Sequence, residues 1–161
     1  MYKLVDLGFD INMPGHFGDY PAILTIAKRG SVTMFDTFLK LGGMDEMHRV
    51  LDRLYEPLDR NSQSTIEEQI EKMRLLHKLG YSLISITDGN PIERLVDKNL
   101  KKRKKITKWE EKALLDLWEM DCAPRRLDQL NKLYEYVTKV DCKPMIEKCG
   151  QYITDIQAAL N

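Results

Sequence analysis

Apolar residues recur along this chain at steps of three and four, the spacing that lays them on one face of a helix, and Gly, Pro and Asn punctuate the runs. Val32, Met34, Phe35, Phe38, Leu39 and Leu41 form one such run, which Gly42 ends as a left-handed cap does. Met47, Val50, Leu51 and Leu54 make the next stripe, with Asp45 placed to cap it and Pro57 to stop it. A polar loop, PLDRNSQS, leads to Ser64, Thr65, Ile66 and Glu67, the pattern of a capping box. Ile66, Ile70, Met73, Leu76 and Leu79 then hold a stripe up to Gly80, and Glu67, Glu68 and Glu71 with Lys72 and Arg74 read as its solvated side. Asn90 and Pro91 open a shorter run, IERLVDKN, which Asn99 closes. Thr107 and Glu110 form a second capping box before a helix that ends near Met120; Trp109, Ala113, Leu114, Leu117 and Trp118 face inward, and Glu110, Glu111, Asp116 and Glu119 mostly outward. Behind Pro124, the residues Leu127, Leu130, Leu133, Tyr134 and Val137 recur helically. Asp141 with Pro144 starts a last helix through Met145, Ile146, Cys149, Ile153, Ile156 and Leu160.

The same local sentence returns. LVDLGF, before Asp10, reappears as FLKLGG before Met44 and again within RLLHKLGYSL, so one supersecondary unit is being repeated. The first full copy contains GFDINMPGHFGDYP, with Gly8, Asp10, Asn12 and Gly18, followed by Tyr20, Pro21, Ile26, Ala27 and Gly30. In that order these residues resemble the ankyrin repeat, in which a β-turn finger leads into two antiparallel helices. A second copy runs from Gly80 through Gly89, Asn90 and Pro91 to Asn99. The resemblance covers residues 4–43 and 75–99 and is architectural elsewhere. It also departs from the family pattern: Tyr20 stands where a capping Thr is usual, the His of the family motif is missing, and Pro21 to Gly30 is one residue longer. Asn90, unlike Tyr20, has the side chain to cap.

The resemblance implies an all-α, ankyrin-like solenoid of antiparallel helix pairs with short β-turn fingers. Tyr2 to Leu7 fits the end of a second helix with no first helix before it, so Leu4, Val5 and Leu7 leave an apolar N-terminal edge open to shielding or homo-association. The last two helices, which lack a finger, cap the array.

With 161 residues and 43% hydrophobic content, the chain is long enough for one domain with a real core, spanning 1–161. Its 25 basic and 25 acidic residues cancel, so no global field draws it to polyanions or bilayers. The start has no secretory character and no run reaches 18 apolar residues, which points to a cytoplasmic protein without a membrane span. Cys122, Cys142 and Cys149 form no CxxC pair and read as reduced core thiols rather than metal ligands.

Catalytic equipment is sparse: His16, His48 and His77 have no partner at the spacing of zinc or nucleophile motifs, and no Gly-rich stretch is followed by Lys-Ser or Lys-Thr. No catalytic residue, metal or cofactor is assigned. A compact chain with no other visible equipment reads as a non-catalytic protein-binding module of the inhibitor or immunity type. The resemblance implies recognition of a protein through finger tips and the concave side of the first helices. On this sequence those positions are His16, Phe17, Asp19 and Tyr20, then Lys28 and Arg29, then Asp88, Asn90, Glu93 and Arg94. The alternative is nucleic-acid binding through the basic run Lys101, Lys102, Arg103, Lys104 and Lys105, although no aromatic interleaves with it before Trp109.

Overall fold

A computed structural model describes residues 6–7, 10–13, 21–43, 46–59, 63–84, 89–97 and 104–160. Among them are eight α-helices and no strand, so the chain is all-α. The helices are α1 (Ala22–Arg29), α2 (Val32–Lys40), α3 (Met47–Tyr55), α4 (Gln63–Lys78), α5 (Pro91–Leu95), α6 (Lys108–Glu119), α7 (Leu127–Lys139) and α8 (Lys143–Leu160), with a 3-10 turn, Glu56–Asp59, continuing α3. Each odd-numbered helix packs on the even-numbered helix after it. α1 also packs on α3, and the 3-10 turn on α5, making a first row. In a second row, α2 packs on α4, α4 on α6, and α6 on α8.

Local chemistry accounts for several helix ends. The side chain of Asn90 accepts from Ile92 N at 2.8 Å, and Thr107 with Glu110 closes a full capping box, as the sequence predicts. Ser31 caps α2 by accepting from Met34 N at 3.2 Å. Two expected caps differ. α4 already includes Gln63, so Ser64 lies inside the helix, and the N-cap of α3 is Glu46, which makes no side-chain bond. Asp45 itself lies outside the described residues.

At the other ends one motif recurs. Gly43 N donates to Phe38 O (2.8 Å), Tyr81 N to Leu76 O (3.1 Å), Cys122 N to Leu117 O (3.2 Å) and Cys142 N to Val137 O (2.9 Å). The residue before each donor is left-handed: Gly42 (φ 79°), Gly80 (φ 85°), Asp121 (φ 60°) and Asp141 (φ 55°). Gly30 has a different constraint, since a Cβ there would meet the Ile26 carbonyl oxygen at 2.9 Å across the tight α1–α2 connection.

The core runs through every helix pair, and the buried set includes Phe35, Leu54, Tyr55, Met73, Leu114, Val137 and Cys149. Some stripe positions differ from expectation. Leu79 and Met34 are 60% and 45% exposed, and on α7 Tyr136 is buried while Tyr134 is half-buried. Leu7 and Met13 are also exposed, while Leu4 and Val5 of the expected N-terminal edge lie outside the described residues.

Two charged residues expected outside are fully buried: Lys72 and Glu110. Lys72 reaches from α4 to the C-terminal end of α1, where Nζ donates to Ala27 O (3.2 Å) and Ile26 O (3.5 Å). The Gln69 amide, oriented to satisfy both of its ends, accepts from Lys72 Nζ at 3.2 Å and donates to Ala27 O at 3.0 Å. A cation at a helix C-terminus meets the negative end of the helix dipole. Burial still pushes the Lys72 ammonium below its ordinary pKa.

Candidate functional site: the first helix row

Among the described residues, three side chains donate far forward along the chain to backbone carbonyls. Asn12 Nδ2 donates to Gly42 O (3.2 Å), Tyr55 OH to Leu83 O, and Asn90 Nδ2 to Cys122 O, over sequence separations of 30, 28 and 32 residues. Each accepting carbonyl lies just past the end of a second-row helix, α2, α4 or α6. Asn12 and Asn90 stand ahead of first-row helices and Tyr55 closes α3, and each reaches the connection that leads into the next helix pair. The Tyr55 phenol is fully buried, and burial pushes its pKa far above the ordinary value, so it stays a neutral donor.

Along the first row, charged residues line two depressions that share no lining residue. The first, about 200 Å³, is formed by Leu24, Thr25, Lys28, Arg29 and Arg53. Lys28 is half-buried and ion-pairs with Glu56, to which Arg53 also donates at 3.3 Å. The Lys28 hydrogen bond is the main cause holding the Glu56 carboxyl below the usual carboxylate range. Arg29 points into solvent.

The second depression, about 390 Å³, lies between α5 and α7. Its apolar wall comes from Val96, Leu133 and Tyr136, and its polar lining from Glu93, Asp97, Gln129 and Glu135, with Lys132 and Lys139. Glu93 is half-buried; Oε2 accepts from Gln129 Nε2 at 3.2 Å, while Oε1 is enclosed without a hydrogen-bond partner. Burial, with the carboxylates of Asp97 and Asp128 nearby, raises the Glu93 pKa against the opposing pull of Lys132 and Arg126.

Of the residues singled out from sequence, Lys28 and Arg29 thus share one depression and Glu93 lines the other, with Arg94 half-buried on the same helix. Asn90 is 6% exposed, with its amide engaged in the cap and the link to Cys122. His16, Phe17, Asp19, Tyr20 and Asp88, along with Lys101, Lys102 and Arg103, lie outside the described residues; Lys104 and Lys105 are exposed in a bend before α6. Sequence reasoning missed Gln129, Lys132, Glu135, Tyr136 and Lys139. Their only signal is a polar flank on α7 at helical spacing.

All three cysteines are free and buried; burial pushes Cys122 and Cys149 up to about 12 and raises Cys142 as well. These are poor nucleophiles at neutral pH. His48 is exposed on α3, 3.4 Å from Glu46, and His77 is half-buried on α4. Among the described residues no group of three His, Cys, Asp or Glu is placed to hold a metal ion, and no helix is long and apolar enough to cross a membrane. No family model, curated protein or solved structure matches this chain.

Proposed function

We propose that this chain is a degenerate ankyrin-like solenoid whose first helix row, with the turns leading into it, binds another protein without catalysis. The observation that carries this reading is the set of forward links, Asn12 to Gly42, Tyr55 to Leu83 and Asn90 to Cys122, at near-constant separations of 30, 28 and 32 residues. A contact that recurs once per helix pair is what stacked repeats make at each junction. The linked connections lead into the first row, the surface on which such arrays present side chains. Along that surface the basic Lys28, Arg29, Arg53 and Arg94 stand with the acidic Glu56 and Glu93, and such mixed charge suits selection of a protein partner rather than a polyanion.

The test is capture of a binding protein from native-host extract by the tagged chain, repeated with Phe17→Ala and Tyr20→Ala in the first turn and Arg29→Glu on α1. Thr33→Glu, on the exposed side of α2, is the second-row control. The proposal expects capture to fall at least tenfold in the first-row variants, the scale of about 1.4 kcal/mol. Equal capture by all variants removes it. Capture that is nuclease-sensitive, and lost when Lys101 to Lys105 become Ser, replaces it with nucleic-acid binding.

A further inference from the structure

We propose that the cleft between α5 and α7 is a receptor for an arginine side chain of the binding partner. This deepens the protein-binding reading above and rests on it. Three features of the cleft select that chemistry. Its volume, about 390 Å³, is that of a side-chain pocket rather than a groove for a folded element. Its apolar wall of Val96, Leu133 and Tyr136 suits the methylene stem that an arginine buries while its head stays polar. At the polar side stands Glu93, whose carboxylate carries more acceptor capacity than the protein satisfies. One oxygen takes a single bond from a neutral amide, and the other is enclosed with none.

An enclosed carboxylate oxygen without a donor is costly, and a planar guanidinium supplies two parallel N–H groups to two oxygens. An incoming arginine takes Oε2 over from the Gln129 amide and draws Oε1 out of its enclosure by rotation of the carboxylate, giving both oxygens charged donors. Gln129 lines the same cleft, so its freed amide is left at the cleft wall. Asp97 and Glu135 add negative charge, and Lys132 and Lys139 oppose it. The lining therefore sums to one net negative charge, and the discrimination comes from Glu93 rather than from a broad field. Lysine is the weaker fit, since a point charge cannot engage both oxygens in one plane.

The probe is N-acetyl-arginine N-methylamide, titrated into the isotopically labelled chain and followed by amide chemical shifts, with the citrulline analogue as neutral isostere. The inference expects saturable shifts at Val96, Leu133 and Tyr136, with affinity at least about tenfold weaker for citrulline and for Glu93→Gln. Lys132→Ser, which removes an opposing positive charge from the cleft and leaves the Glu93 side chain in place, strengthens arginine binding. The dispersed spectrum of Glu93→Gln reports directly that it is folded. Absence of saturable shifts at the cleft overturns the inference, as does equal binding of citrulline, equal binding by a folded Glu93→Gln, or weaker arginine binding by Lys132→Ser. Those results leave the protein-binding reading standing if Arg29→Glu still abolishes capture. Arginine binding combined with capture untouched by every first-row variant leaves a cleft without the function it was assigned.

Discussion

Asn90→Ala removes two interactions with one substitution. Oδ1 caps α5 through Ile92 N at 2.8 Å, Nδ2 holds the Cys122 carbonyl, and the residue is only 6% exposed, so water does not replace either bond. Loss of a helix cap costs about 1 kcal/mol and a buried carbonyl deprived of its donor about another 1–2, so the sum is roughly 2–3 kcal/mol. For a chain of this size that lowers Tm by roughly 5–10 °C. Thermal and urea unfolding followed by far-UV circular dichroism and by Trp fluorescence measures it, Trp118 lying just before the Cys122 turn. Asn90→Ser keeps a capping oxygen but cannot span to Cys122, so it falls between wild type and Ala. Ser31→Ala, the loss of an exposed cap with one 3.2 Å bond, calibrates the cap alone. If Asn90→Ala is no more damaging than Ser31→Ala, the junction between the third and fourth helix pairs does not depend on this side chain.

Alkaline pH destabilises the protein through Cys122 and Cys149. Their folded pKa values are about 12 against an ordinary 9.0, so their contribution is whole below pH 9 and is lost as pH rises toward 12, by at most about 1.4 kcal/mol per pH unit for each thiol. Cys149→Ala flattens that part of the stability profile; an unchanged slope removes the assignment. Lys72 acts with the opposite sign. Its folded pKa lies below the ordinary 10.5, the unfolded chain binds more protons in that window, and Lys72→Met removes an increase of stability with pH there. At neutral pH Lys72→Met stays within about 1 kcal/mol of wild type or gains, whereas Lys72→Ala loses about 2–4 because the packed stem goes too, as urea midpoints report. Gly80→Ala costs about 1 kcal/mol at its φ of 85°, while Asp121→Gly, at φ 60°, gains up to about 1; the reverse order refutes the left-handed caps as their cause.

What could be read from sequence was what depends on near neighbours. The cap at Asn90 and the box at Thr107 and Glu110 are written within three residues, and the left-handed turn at Gly42 within five. Lys72 failed because its acceptors lie 45 and 46 residues earlier, at the end of α1. Its spacing from Gln69 and Met73 does put it beside the apolar stripe of α4, but charge alone argued for solvent. Glu110 failed for a related reason, since a capping side chain folds back over its own helix start and the neighbouring helices then cover it. At the candidate site, Glu93 was readable as a first-row position, whereas Gln129, its partner, stands 36 residues on and announces nothing locally.

The forward links explain why the repeat is so faint in the sequence. The donor is an asparagine amide in the first, a tyrosine phenol in the second and a capping asparagine in the third, and the acceptor each time is a backbone carbonyl, which any residue supplies. The turn motif of the C-terminal helix ends shows the same tolerance. Gly42 and Gly80 are replaced by Asp121 and Asp141 with the hydrogen-bond pattern intact, because a left-handed aspartate costs only about 1–2 kcal/mol in conformation. The repeated quantity is therefore a geometry that several side chains satisfy. Motif similarity decays where a unit uses a different donor: α3, whose unit lacks the turn signature, is packed on α1 and α4 and makes its forward link with Tyr55, which reaches Leu83. On this account Tyr55→Phe, which deletes only the donor, loosens the second junction while leaving the core volume unchanged. Hydrogen exchange of the Leu83 segment rises in that variant more than exchange in α7, and uniform protection in both places contradicts the account.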